Sequence, residues 1–233
     1  MPPATSRTAA RAKHTSRDQF AGLADFTGRA RQTLLRAAEL APDDVAPWAA
    51  LISVTLGAPT HRGEPAEIHE EVVKRVPDLV NANLRRLQTK AAKWYGSHDE
   101  MFAFARSGVE SLPDGHPLLA LVPIAHIEMH LDKMAKGGKL SRMWQVATLS
   151  YWKKQRAEVD AVSDRLLAGA DGRPYSLWAH QIFAMCYFQA EVPDRLAAHL
   201  ARSGPRAARW PWAYLGNPDK RFAAAHEMAA RRD

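Results

Sequence analysis

His126 and His130 stand four residues apart in the run "PIAHIEMH", 123–130, with Glu128 between them. On a helix, residues i and i+4 share a face, so two imidazoles in this register are the beginning of a metal site. The rest of such a site is missing from the local pattern. Each helical residue advances about 100°, which carries Glu128 about 200° round from His126 and off the shared face. A zinc helix of the H-E-x-x-H kind sets its general-base Glu directly after the first His and draws a third ligand from elsewhere. Here Ile127 occupies the Glu position, and His98, His116 and His180 could complete a ligand set only through tertiary contacts. Residues 123–130 therefore carry two readings: a metal or catalytic site at His126 and His130, and a packed turn of helix.

Other catalytic constellations are absent. The chain has no Gly-rich phosphate loop and no G-x-S-x-G elbow. Cys186, the only cysteine, lies in the apolar run "FAMCYF" and reads as a buried, inert thiol. Asp99 and Glu100 follow Ser97 and fit helix capping better than paired acid–base work. The sequence thus points away from an enzyme and implies no cofactor.

Recognition chemistry is better represented. Trp94 and Tyr95 sit beside Lys90 and Lys93, and Trp152 precedes Lys153 and Lys154. An aromatic next to a cation is what a surface needs to hold an acidic segment. In "LVNANLRRLQTK", Asn81, Leu84 and Gln88 fall on one helical stripe, where the amides could meet a peptide backbone. Asn81, Leu84, Gln88, Lys90, Trp94, Tyr95, Trp152 and Lys153 form the candidate partner-binding set. The competing role for the tryptophans is filling gaps between packed helices, and for the amide stripe it is a solvated face.

The elements that must position these residues are helices. The 233 residues are 46% hydrophobic, are rich in Ala, Leu, Arg and Glu, and show almost no period-two alternation. Pro-Asp pairs recur at 42, 77 and 113, about 35 residues apart, which is the size of an αα-hairpin repeat. Each pair ends a helix-like run, and a small or branched residue (Ala38, Val73, Val109) stands four before each proline. Pro cannot continue a helix and Asp can cap the next. Ser97 with Glu100 reads as a capping box, Gly96 as the end of the helix before it, and "AKGGK" (135–139) and "GADGRP" (169–174) as breaks. Pro123 falls within the histidine helix and should kink it or start it afresh. "YSLWAHQIFAMCYFQA", the turn "EVPD" and "RLAAHLARSG" make a late helix pair.

The segment "ARQTLLRAAELAP", 30–42, resembles the second half of a tetratricopeptide repeat. Ala30, Leu34, Ala37 and Pro42 take that motif's small, large, small and proline positions. Trp48 then stands where the next unit's first helix carries its Trp, and Trp178 leads a similar helix. Pro65 and Met101 depart from the pattern in the second and third units. "KWYGSHDEMFAFAR" is similar to a stretch of bacterial helical-repeat proteins without an assigned activity. The resemblance implies an all-α, right-handed superhelix of antiparallel helix pairs, with ten or eleven helices, and it implies no reaction.

The expected organisation is a disordered basic arm over 1–17, one helical-repeat domain over 18–233, and a C-terminal cap over 205–233. In the cap, Trp210, Trp212, Tyr214 and Leu215 cover an apolar edge, and Asn217 or Asp219 caps a helix that packs Phe222 inward. The Trp-Pro-Trp patch could instead dock another subunit. The arm holds Arg7, Arg11, Lys13 and Arg17 ahead of the first acidic residue, part of a net charge of +7 and a pI near 9.7. That charge favours acidic partners or nucleic acid, although no stacking aromatics accompany the arm. No apolar run approaches a membrane span, the first residues lack the apolar stretch of a secretory signal, and a lone cysteine fits a reducing, cytoplasmic home. Three functional expectations follow. The leading one is a scaffold holding a protein or peptide partner, acidic partners included, on a concave helical face. The second is a metal-binding protein or enzyme centred on His126 and His130, and the third is nucleic-acid binding through the arm.

Overall fold

The computed structural model describes residues 17–56, 60–94, 96–136, 150–170 and 172–231. Nearly all of the basic arm, and Tyr95, lie outside them. The described residues are all-helical, as the composition predicts. They form eleven α-helices: α1 (Arg17–Leu40), α2 (Val45–Thr55), α3 (Glu64–Arg75), α4 (Val80–Lys90), α5 (His98–Glu110), α6 (Leu121–Lys136), α7 (Ser150–Ala168), α8 (Ser176–Ala190), α9 (Pro193–Leu200), α10 (Arg209–Trp212) and α11 (Pro218–Ala230). A 3-10 turn, Pro117–Ala120, precedes α6. No helix among the described residues is long and apolar enough to cross a membrane.

The chain divides into two compact units, residues 1–101 and 102–233. In the N-terminal unit, α1 packs on α2, α2 on α3, and α4 on both α2 and α3. Short connections between successive helices bring sequence neighbours together. The core is Leu51, Ile52, Ile68, Val72 and Ala82, with Leu34, Val45, Trp48 and Leu79 closing over it. Two Pro-Asp turns lie here. Asp44, one residue beyond the Pro-Asp pair, caps α2 by accepting from Ala46 N at 2.8 Å. Arg75 at the end of α3 donates from Nε to the Pro42 carbonyl at 2.7 Å. Asn83 of α4 donates from Nδ2 to the Pro77 and Leu79 carbonyls, both at 3.0 Å, so the second turn is tied down in the same way.

The helix expected to run on to Gly96 stops at Lys90. Ala91 turns to an extended ψ of 145°. The chain doubles back so closely that a Cβ on Gly96 would lie 2.2 Å from the Lys90 carbonyl oxygen. Gly96 is needed for that close approach rather than for a helix end. Ser97 then caps α5, accepting from Glu100 N at 3.1 Å, as its sequence predicts.

In the C-terminal unit α8 is the central element, in contact with α6, α7, α9, α10, α11 and the 3-10 turn. Eleven of its fifteen residues are buried. Pro123 sits in the first turn of α6, so it starts a helix rather than kinking one. Pro193 and Asp194, expected in a turn, form the first turn of α9 for the same reason. The third Pro-Asp turn is clamped by Arg165 of α7, which donates to the Val109 carbonyl at 2.8 Å, to the Leu112 carbonyl, and to Asp114. Two loops meet there. Gly115 has φ +77°, and a Cβ on Gly169 would fall 2.2 Å from Gly115 N. At the C-terminus, Asn217 caps α11 by accepting from Lys220 N at 3.0 Å. Phe222 packs inward, and Trp212 is fully buried against it at 5.5 Å between ring centroids.

Candidate functional site

The two histidines of α6 do share a face, and their partners differ. His126 is buried. Its Nε2 lies 2.9 Å from Glu158 Oε2, and its Nδ1 lies 3.2 Å from the Tyr151 hydroxyl, both on α7. That hydroxyl is also 3.0 Å from the His126 carbonyl. Burial lowers the His126 pKa, with Glu158 opposing the shift. A neutral ring donates from Nε2 to Glu158 and leaves Nδ1 as an acceptor beside the Tyr151 hydroxyl, whose single proton goes to the His126 carbonyl. Glu158 is shared: Arg106 of α5 donates to it from Nε at 2.6 Å and Nη2 at 3.1 Å. The Arg106 and His126 hydrogen bonds hold the Glu158 carboxyl below its usual range. His130 has no such network. Its Nδ1 is buried without a hydrogen-bond partner, and its ring packs 4.9 Å from Tyr151 and 5.8 Å from Trp152. Burial lowers its pKa too. Among the described residues no three His, Cys, Asp or Glu side chains converge as a metal site would require.

A second buried cluster joins three helices and has no signature in the sequence. His199 of α9 lies between the Phe183 and Tyr187 rings of α8, nearly parallel to both at 4.9 and 5.6 Å. Its Nε2 is 2.8 Å from Ser163 Oγ on α7, and its Nδ1 is 2.9 Å from His180 Nδ1 on α8. Two facing ring nitrogens need one proton between them, so one ring donates and the other accepts. Burial drives the His199 pKa well down, with the charges of His180, Arg195 and Arg202 adding to the shift. Beside this cluster the Tyr187 hydroxyl donates to Asp160 at 2.8 Å, and Arg195 pairs with Asp160 and Asp164. A Ser Oγ next to a His nitrogen is the pairing of a nucleophile and its base. Ser163 and His199 have no exposed surface, however, so no substrate reaches them in this conformation. Cys186 is equally sealed, and burial raises its thiol.

Gln181 is a third buried hub. Its Nε2 donates to the Ser203 and Arg206 carbonyls at 3.0 and 2.8 Å. Its Oε1 accepts from Ala208 N at 2.7 Å and Trp212 Nε1 at 3.0 Å. One amide thus stitches the segment after α9 to α8.

The candidate partner-binding residues divide between the units. In the N-terminal unit Asn81 is exposed on α4, while Leu84, Gln88, Lys90 and Trp94 are half-buried. Asn83, rather than Asn81, makes the structural bonds, including one that its Oδ1 accepts from His69 Nε2 at 3.1 Å. In the C-terminal unit Lys153 is exposed. Trp152 is 4% exposed, so its ring fills the interior against His130 and Tyr151 rather than lining an outer face.

The N-terminal unit also has an open cleft of about 430 Å³ among α1, α2 and α3. Leu35, Trp48, Leu51 and Ile68 supply its apolar wall, and Glu64, Glu67, Glu70 and Glu71 its acidic rim. Glu64 pairs with Arg31, Glu67 with His61 at 3.3 Å, and Glu71 with Lys74 and Arg75. Burial of Glu64 beside Arg31 follows from Pro65 and Glu64 opening α3 at the cleft's edge. No family model matches this chain, and neither a curated protein nor a solved structure matches it.

Proposed function

We propose that this chain is a non-enzymatic interaction module of the helical-repeat class, its helix pairs arranged like tetratricopeptide units, and that the cleft of the N-terminal unit holds a basic, partly apolar segment of a partner protein. The observation that carries this reading is the cleft itself: an apolar wall with a half-buried Trp48, bordered by four glutamates together with Arg31 and His61, which pair with Glu64 and Glu67. Grooves between packed helices take extended or helical segments through apolar anchors, and rim charge selects the partner and speeds its encounter. The acidic partner suggested by the lysine–aromatic pairs does not suit a rim of this sign. Polar clusters sealed inside the C-terminal unit add rigidity and offer no route for a substrate, which weighs against the enzyme reading.

The test is a peptide array probed with the full chain. Short peptides combining Lys or Arg with Leu or Trp should bind, and binding should weaken as salt rises. Reversing the rim with Glu67→Lys and Glu70→Lys should weaken it about tenfold or more. If acidic or neutral peptides bind best, or if the rim variant binds as the parent does, the reading fails.

A further inference from the structure

One short stretch of the C-terminal unit breaks two local rules at a solvent-facing position. Tyr175, just before α8, holds φ +71° in the left-handed region. That conformation suits glycine and strains a bulky side chain. Tyr175 also occupies the N-cap position without making a side-chain cap bond, where Ser, Asp or Asn would satisfy a free helix amide. Tyr175 is 42% exposed, and Leu177, two residues on, is 58% exposed. A sequence selected only for folding would place glycine or a small polar residue before this helix and a polar one at 177.

The neighbours continue an aromatic stripe. Tyr175 meets Trp178 edge-on at 6.2 Å, and Trp178 stacks on Trp210 at 5.3 Å with an angle of 24° between planes. Trp210 meets Tyr214 at 6.1 Å. Both indoles are half-buried, anchored on one side and open on the other. Arg206 and Arg209 are exposed on the segment that carries Trp210, and neither forms an ion pair among the described residues. Trp, Tyr and Arg around an aliphatic centre are the residues that dominate binding energy at protein interfaces.

We propose that Tyr175, Leu177, Trp178 and Trp210, with Arg206 and Arg209, form a second docking surface, and that its occupant is an acidic segment of a partner protein carrying aliphatic or aromatic side chains. Charge complementarity sets the sign, since the two guanidiniums pair with no carboxylate among the described residues. Each indole already spends one face on the other, which leaves less room for inserted nucleotide bases and favours a peptide over single-stranded nucleic acid. The exposed Leu177 has a use against a peptide side chain and none against a phosphate backbone. The surface is independent of the acidic cleft, lies in the other unit and selects the opposite charge.

The experiment measures fluorescence anisotropy of a short fluorescein-labelled peptide alternating glutamate with leucine and tyrosine, titrated with the full chain. Binding should saturate and fall with salt. The double variant Arg206→Glu, Arg209→Glu should weaken it by about tenfold or more. Tyr175→Gly relieves the left-handed strain, so it should keep or raise the melting temperature while lowering affinity several-fold. A residue with only a structural role would not separate the two readouts in that way. The cleft variant Glu67→Lys, Glu70→Lys should bind this peptide unchanged, so failure here and failure of the cleft reading are told apart. Three outcomes overturn the proposal: no saturable binding into the millimolar range, equal binding by folded parent and arginine variant, or tighter binding of an oligo-dT strand lost in the same variants. Concentration-dependent dimerisation in sedimentation, abolished by Leu177→Asp, would instead assign the surface to a second copy of the chain and also overturn it.

Discussion

The C-terminal unit contains two histidine pairs that invite opposite readings from sequence. His126 and His130 are four apart on one helix and share a face, yet they do not act together. One joins Tyr151 and Glu158, while the other leaves Nδ1 without a partner against aromatic rings. His180 and His199 sit on different helices, and their Nδ1 atoms meet at 2.9 Å. Helical register puts side chains on a common face, but only tertiary packing decides whether they converge. The pair with the suggestive spacing is divided between two environments, and the pair with no spacing signal forms a closed cluster with Ser163.

If convergence of buried polar groups is what distinguishes the α8–α9 region, its hubs should be the costliest to remove. The largest effect is expected for Gln181→Leu, adjacent to His180. It would strand two carbonyls, a backbone amide and the Trp212 indole N–H, of which the Ser203 carbonyl and the indole N–H are fully buried. The expected loss is about 4 kcal/mol, read as increased hydrogen exchange of the α8 and α9 amides. His199→Ala comes next, at about 3 kcal/mol, because it opens a gap between Phe183 and Tyr187 and strands Ser163 and His180. If His126→Ala proved costlier than His199→Ala in the same assay, the contrast between the pairs would collapse.

Acid sharpens the contrast with a smaller effect. The folded pKa values of His126, His130 and His199 all lie below the ordinary histidine value of 6.5, chiefly through burial. Above about pH 6.5 neither folded nor unfolded chain holds these protons, and stability is intact. As pH falls below that value, the unfolded chain takes up protons that the folded chain refuses. Stability is then lost at up to about 1.4 kcal/mol per pH unit for each histidine, until the folded pKa is reached. Glu158 contributes in a separate, lower window: with its folded pKa depressed, its stabilisation is present above the usual carboxylate range and is lost as the pH falls through that range towards the folded value. Denaturant titrations between pH 7 and pH 5 should therefore show a slope that His199→Phe flattens by close to one proton. An unchanged slope would mean that His199 gains its proton while folded.

Much of the helical framework was legible because its signals are local. Ser97 caps α5, Asn217 caps α11, and the Pro-Asp pairs at 42, 77 and 113 follow the ends of helices, since capping and proline sterics act within a few residues. The errors mark where tertiary contact overrode local preference. The run through Ala91–Trp94 has good helix formers, but Gly96 must approach the Lys90 carbonyl, so the helix ends early. Trp152 looked like a lysine-flanked recognition residue, yet its neighbours in space are Tyr151 and His130. The clusters around His199 and Gln181 had no sequence signature because their hydrogen-bonded partners are 19 to 36 residues apart and follow no fixed offset. Leu177 and Tyr175 show the reverse: an apolar helix start reads as core, and only packing reveals which of its residues face water.

The smallest expected effect is the most discriminating for the pair on α6. His130 makes no hydrogen bond through Nδ1, and that atom is buried beside Tyr151 and Trp152. A buried polar atom without a partner costs free energy, whereas an apolar ring of similar shape there does not. His130→Phe should therefore be neutral or stabilising by about 0.5 kcal/mol, with the Trp152 environment preserved in near-ultraviolet circular dichroism. His126→Phe, by contrast, removes one of the two donors to Glu158 Oε2 and the ring nitrogen beside the Tyr151 hydroxyl, and should destabilise. Opposite signs for the same substitution at two positions one helical turn apart would locate the difference in their partners rather than in histidine itself. If His130→Phe instead costs as much as His126→Phe, the orphan nitrogen has a partner that matters, and α6 would again be a candidate for a shared site.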